Sequence, residues 1–247
     1  MESTPGPHSV KQVAPWGFWA TAGYSLVIFG IFFGIQTVVW AIFVEIALPN
    51  NPDLAISVPD PQSSGFFLAV ATCVSSPICV ALTALCARMR KGWSVRQYLA
   101  LRPVKRPVLL KWLGLTLLLA ISSDVLTVLM GRPIVPEFAA RAYETALFTP
   151  LLWIAFVVAA PAFEEVFFRG FMFQGLQHSR IGPVGAVILT AIIFGIIHFQ
   201  YDAYGTVTAV VIGLLLGTAR LKTESLYPAI AMHSMINLIA TLEAALL

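Results

Sequence analysis

The stretch LLWIAFVVAAPAFEEVFFRG, residues 151–170, decides how the chain folds. Its first half is uncharged and suits hydrocarbon, yet Glu164, Glu165 and Arg169 follow within the same run. A membrane-spanning helix takes about 20 predominantly apolar residues, so these ionic groups are expected at membrane depth. Charges there cost roughly 2.5–3.5 kcal/mol each or more, and they need partners. Residues four apart share a helical face, so Glu165 and Arg169 can pair and offset each other's burial. Glu164 is turned about 100° away and is left to face other helices.

The whole chain shares this character. Of 247 residues, 58% are hydrophobic and 11% charged, with a mean hydropathy of +0.85. A soluble domain carries roughly a quarter of its residues as charges. The composition therefore predicts an all-α integral membrane protein, one membrane domain over 1–247, with the lipid bilayer as its surroundings and no nucleic-acid partner. Apolar runs fall at roughly 18–46, 65–87, 108–130, 148–172, 183–200, 205–220 and 225–246. They predict a bundle of about seven transmembrane helices, or eight if the long first run hides an interfacial helix. That first run is too long for a signal-peptide core and is expected to remain as a span. Cys73, Cys79 and Cys86 lie in one apolar segment without metal or disulfide spacing, and read as small buried hydrophobes.

Basic residues predict orientation. Residues 88–111 hold eight of the fifteen: Arg88, Arg90, Lys91, Arg96, Arg102, Lys105, Arg106 and Lys111. This loop is expected in the cytoplasm as an anchor at anionic headgroups, and with seven spans Lys11, Arg180, Arg220 and Lys222 fall on the same side. The connector at 49–64 and the turn at 201–204 carry only acids, Asp53, Asp60 and Asp202, and the 131–147 loop balances Arg132 and Arg141 against Glu137 and Glu144. The N-terminus is thus expected inside and the C-terminus outside.

Within the runs the ionisable positions are Glu45, Asp124, Glu164, Glu165, Arg169, His198 and His233. Glu45 lies near a span end, within reach of headgroups. Asp124 has no companion at helical spacing and reads as structural. The other five form patterns: His198 follows Phe194 by four residues, and His233 and Asn237 are four apart on one face. A carboxylate in apolar surroundings can take a proton from water, with a histidine sharing that water. A second histidine with an amide donor can stabilise the oxyanion that forms when water adds to a carbonyl. A metal reading competes, because Glu164, His198 and His233 are an acceptable zinc ligand set, although HExxH is absent. A polar network that merely locks helices together is the non-catalytic reading.

EEVFFR, FGIIH and HSMIN fit the ordered motifs EExxxR, FxxxH and HxxxN. Over residues 148–240 the chain resembles the CAAX protease and bacteriocin-processing family, CPBP or Abi, of intramembrane proteases. The resemblance implies a helical fold with an intramembrane catalytic cavity open to the cytoplasmic side and to lipid. It implies Glu164 as general base, His198 beside the same water, and His233 and Asn237 as the oxyanion hole, with Glu165 and Arg169 in support. It further implies a glutamic-type endopeptidase without cofactor, zinc being the mechanistic alternative. The substrate would be a membrane-embedded or lipidated peptide or protein, and the location a bacterial or archaeal cell membrane. The alternative from another class is a non-catalytic immunity or peptide-binding membrane protein.

Overall fold

A computed structural model describes residues 13–47, 50 and 64–247. Helix α1 (Phe18–Ile42) continues into a π-helical turn (Phe43–Ala47) and is followed by α2 (Gly65–Met89), the short α3 (Val95–Tyr98), α4 (Arg106–Leu129) and α5 (Glu137–Glu144). Then come the long rod α6 (Thr149–Gln177), α7 (Gly182–Ile196), α8 (Ala203–Thr223) and α9 (Tyr227–Leu246). No β-strand occurs among the described residues. Among the described residues six helices are long and apolar enough to cross a bilayer: α1 with its π turn, α2, α4, α6, α8 and α9. The chain is a helical membrane bundle.

The fifth apolar run forms the shortest of the predicted helices. Expected over 183–200, it forms a helix of 15 residues, Gly182–Ile196. At 1.5 Å per residue that is about 22 Å, short of the roughly 30 Å hydrocarbon core. Its C-terminal turn carries His198 and completes the passage from the basic end, where Gln174 meets Arg220, to the opposite end, where Asp202 pairs with Arg132. The helix is locked to α8 by close backbone approach: a Cβ on Gly195 would lie 2.3 Å from Val210 Cγ2 and 3.0 Å from Thr206 O. Such small-residue contacts replace hydrophobic drive where lipid is the solvent.

The remaining packing fixes α6 at the centre. Phe32 of α1 stacks on Phe163 with centroids 5.0 Å apart, and Phe29 meets Phe167 edge-on at 4.9 Å. On α2 the residues Ala69, Ser76, Cys79, Thr83 and Ala87 are buried, a small-residue face that admits its neighbours closely. Gln36 Nε2 donates to Ser75 Oγ across α1 and α2 at 3.1 Å. Cys79 is buried, Cys73 and Cys86 are half-buried, and all three are free thiols.

Loops gather at two ends. At one, Leu226 N–H donates to Ala100 O at 2.9 Å and exposed Arg102 pairs with Glu224, so the basic 88–111 loop abuts the α8–α9 turn. At the other, Gly65 N–H donates to Thr145 Oγ1 at 2.8 Å and Arg132 pairs with Asp202. The sequence reading of Arg220 as a loop cation is corrected here. Its side chain is buried, donating from Nε to Arg169 O at 3.0 Å and from Nη2 to Gln174 Oε1 at 3.2 Å, with the guanidinium over Phe173. Asp124 has a companion after all, since its carboxyl group lies near enough to that of Glu243 on α9 to interact with it. Lys11, Asp53 and Asp60 lie outside the described residues, as does the connector at 49–64 apart from Asn50 and Ser64.

Candidate active site

Helix α6 is not a uniform α-helix. The α-helical segment Ala160–Glu165, which carries both glutamates, lies between π-helical segments Ile154–Ala159 and Val166–Met172. A π turn pairs residues five apart, and each change of pattern leaves a main-chain carbonyl without its usual donor. Ala160 N–H reaches Ala155 O, and the next residue is Pro161, which has no N–H for Phe156 O. Asn237 Nδ2 donates there instead, at 2.8 Å. At the second change Phe173 N–H reaches Phe168 O, and the next carbonyl, Arg169 O, takes the Arg220 Nε bond. Both irregular turns are thus satisfied by side chains from other helices.

The buried ionic centre forms around Glu165. Arg169 Nη1 donates to Glu165 Oε1 at 2.9 Å, as the four-residue spacing predicts, and both side chains are fully buried. The Arg169 fork continues to Gly213 O at 3.0 Å, and a Cβ on Gly213 would stand 3.2 Å from Nη2 and 3.0 Å from Ala191 Cα. Glycine there lets α8 carry a carbonyl up to the guanidinium. The same Glu165 Oε1 lies 2.9 Å from His233 Nδ1. Glu165 is therefore not neutralised by its own helix alone; it also binds the histidine of the third motif.

Glu164, the preceding residue on the same helix, faces the Nε2 edge of the same imidazole. Its Oε2 lies 4.0 Å from His198 Nε2 and 3.8 Å from His233 Nε2, and its side chain is 19% exposed. That oxygen is buried and has no hydrogen-bond partner among the described residues. Both histidines are held in one tautomer from behind. His198 Nδ1 meets Phe194 O at 2.6 Å and His233 Nδ1 meets Glu165. Carbonyls and carboxylates only accept, so each Nδ1 carries the proton and each Nε2 is turned toward Glu164. Phe194 braces both rings, at centroid distances of 4.6 Å and 5.6 Å.

The five ionisable candidates are thus brought together from α6, the α7–α8 turn and α9. Asn237 is one turn beyond His233 on α9, with one amide hydrogen committed to Phe156 O. The sequence reading missed Tyr201. Its ring lies parallel to His198, with centroids 5.8 Å apart and 10° between planes, and Phe138 of α5 packs edge-on against it at 5.1 Å. Its N–H also donates to His198 O at 3.0 Å. Burial and then the Glu164 charge push its phenol up to about 12, so it stays neutral. The only signal in the sequence was its position three residues after His198.

A tetrahedral zinc site sets its ligands closer together. Two ligands of tetrahedral zinc with bonds near 2.0–2.2 Å stand about 3.4 Å apart. Glu164 Oε2 is farther than that from both histidines, and among the described residues no three His, Cys, Asp or Glu side chains group so as to hold a metal ion.

Residues 145–239 match the family model described as type II CAAX prenyl endopeptidase Rce1-like. No curated protein matches the chain, and no solved structure does.

Proposed function

We propose, from the premise that residues 145–239 belong to the CAAX protease and bacteriocin-processing family, that Glu164 activates water for hydrolysis of a peptide bond within the membrane. The observation that carries this reading is the buried Glu164 Oε2, without a hydrogen-bond partner among the described residues and set between two imidazole Nε2 atoms. Separations near 4 Å exceed a direct hydrogen bond but suit a bridging water oxygen. Water attached there gives one proton to Glu164 as its oxygen attacks the scissile carbonyl carbon, with His198 Nε2 accepting its second hydrogen as a hydrogen bond.

The carbonyl oxygen then becomes an oxyanion, which needs donors. His233 already spends Nδ1–H on Glu165, so it can donate from Nε2 only as the imidazolium, whose charge Glu165 balances. The second amide hydrogen of Asn237 is the other donor. As the C–N bond breaks, the proton held by Glu164 passes to the leaving nitrogen, yielding an amine and a carboxylic acid whose own proton is then released to water. Glu165 and Arg169 position His233 and do not touch the reacting atoms. Glu165 therefore supports catalysis by holding His233 and balancing its charge, a role that spacing alone did not suggest.

The substrate class follows from the family description and the setting: a prenylated or otherwise membrane-held peptide, approached from the basic end of the bundle, with that end and the N-terminus in the cytoplasm. The test is a comparison of membrane proteomes from cells carrying the wild type and Glu164→Gln, together with purified enzyme and a farnesylated CAAX peptide. Precursors that accumulate only with Glu164→Gln, or peptide cleavage lost with it, support the reading. An unchanged proteome and phenotype would identify a non-catalytic peptide-binding protein instead.

A further inference from the structure

The basic end of the bundle holds an open cavity of about 630 Å³ lined by Arg88, Gly92, Trp93, Ser94, Val95 and Arg96. It lies outside the site described above, between the last turn of α2 and the start of α3. We infer that this cavity binds the phosphate of an anionic phospholipid headgroup.

Charge is the first argument. Residues 88–111 contain eight Lys or Arg and no Asp or Glu. Neither Arg88 nor Arg96 has a carboxylate partner among the described residues, while Arg102 of the same loop pairs outward with Glu224. Arg96 Nε donates to Leu101 O at 3.1 Å, which fixes the guanidinium and leaves its terminal nitrogens for a ligand. Paired guanidinium forks match phosphate oxygens better than they match a diffuse counterion.

Rigidity is the second. Trp93 Nε1 donates to Val13 O at 2.8 Å, and Arg90 Nε donates to Ala14 O at 2.8 Å with its guanidinium over Trp16. A Cβ on Gly92, whose φ is +86°, would press against Val13 at 3.0 Å. Ser94 caps α3 reciprocally with Gln97. The cavity wall is therefore set before any ligand arrives, which lowers the ordering cost of binding.

Depth is the third. Trp16 and Trp19 at the start of α1, Trp93 beside the cavity and Trp112 in the second turn of α4 gather at this end of the bundle, and Trp19 is 83% exposed. Tryptophan concentrates at the level of lipid headgroups. The two arginines thus lie at the height where lipid phosphates run, and a soluble anion would have no such reason to be matched by tryptophans.

Native mass spectrometry of the full-length protein in detergent, titrated with dioleoylphosphatidylglycerol or dioleoylphosphatidylcholine, tests this. Wild type should retain the anionic lipid in preference to the zwitterionic one. Arg88→Gln/Arg96→Gln should weaken that retention about tenfold, and Lys105→Gln/Arg106→Gln, equal in charge but off the cavity, less than about threefold. Arg88→Gln alone breaks no hydrogen bond within the loop and guards against misfolding; it should weaken retention about threefold. Equal losses in the two double variants would reduce the effect to diffuse charge and overturn the site. No preference for the anionic lipid, or its displacement by millimolar inorganic phosphate, would overturn it too. None of these readouts involves catalysis.

Discussion

His233 Nδ1 lies 2.9 Å from Glu165 Oε1, so the third motif is hydrogen-bonded to the second glutamate of the first motif while its Nε2 faces the first glutamate. The adjacent carboxylates therefore have different work. Glu164→Gln keeps the shape of the site but cannot accept a proton. It should lower kcat by about 100-fold or more on a farnesylated CAAX peptide, with thermal unfolding unchanged. Glu165→Gln strands Arg169 as a buried charge and should cost about 3–5 kcal/mol as well as activity. Two variants with the same melting temperature, and Glu165→Gln fully active, would refute this division.

Tyr201 offers a sharper test of positioning. If its ring steadies His198, Tyr201→Phe keeps the stack and should stay within about twofold of wild type, while Tyr201→Leu should lower kcat about tenfold with KM unchanged. A large loss in Tyr201→Phe would assign the work to the hydroxyl. Phe138→Ala, which removes the brace from α5, should resemble Tyr201→Leu in kind and be milder.

Metal content separates the glutamate mechanism from a zinc one. Purified protein should carry no stoichiometric zinc by atomic emission, and should keep its activity after dialysis against a strong chelator that is then removed. One zinc per chain, with activity lost on stripping and regained with zinc alone, would replace the mechanism and leave the protease reading intact.

In the proposed mechanism Asn237 serves both the oxyanion and the architecture of α6. Asn237→Ala leaves Phe156 O unpaired in a half-buried turn and should destabilise by about 1–3 kcal/mol in addition to removing the proposed oxyanion donor. Asn237→Asp sets a carboxylate against that carbonyl and against the oxyanion, so it should be the worse of the two by both assays. Circular-dichroism melts and peptide turnover measured on the same preparations distinguish the two effects.

At the end of the bundle away from the basic loop, the Gly205 N–H and the Arg132 guanidinium hold the Asp202 carboxyl below its ordinary value of 3.8. A folded-state value below the unfolded one gives stability that is present above the unfolded value and lost as pH falls through the folded one. Asp202→Asn keeps the helix cap and removes the ion pair. Its melting temperature should lie below that of wild type at pH 7, and the gap should close as pH drops below about 4. A gap independent of pH would show that the charge is idle.

Local spacing made much of this legible. Apolar run lengths located the helices within a few residues, and the four-residue rule paired Glu165 with Arg169 and His198 with Phe194. What escaped depends on contacts distant in sequence. The bond from Glu165 to His233 spans 68 positions, and Asp124 meets Glu243 only once α4 and α9 pack. Arg220 looked like a flanking cation because hydropathy does not register the carbonyl that Arg169 presents to it. The π segments leave no mark in composition at all, since their irregular pairing is completed by Asn237 and Arg220 from elsewhere in the chain.

That dependence implies an order of events during biogenesis. Inserted alone, residues 149–177 have no outside donor for Phe156 O or Arg169 O, and an ordinary α-helix with a proline kink is the better arrangement in lipid. The widened turns become favourable only when α8 and α9 arrive, and the change of pitch then swings Glu164 and Glu165 relative to the rest of the rod. The nascent segment would thus cross the bilayer with its two carboxylates out of register, unable to hydrolyse anything, and acquire its reactive geometry as the last helices dock.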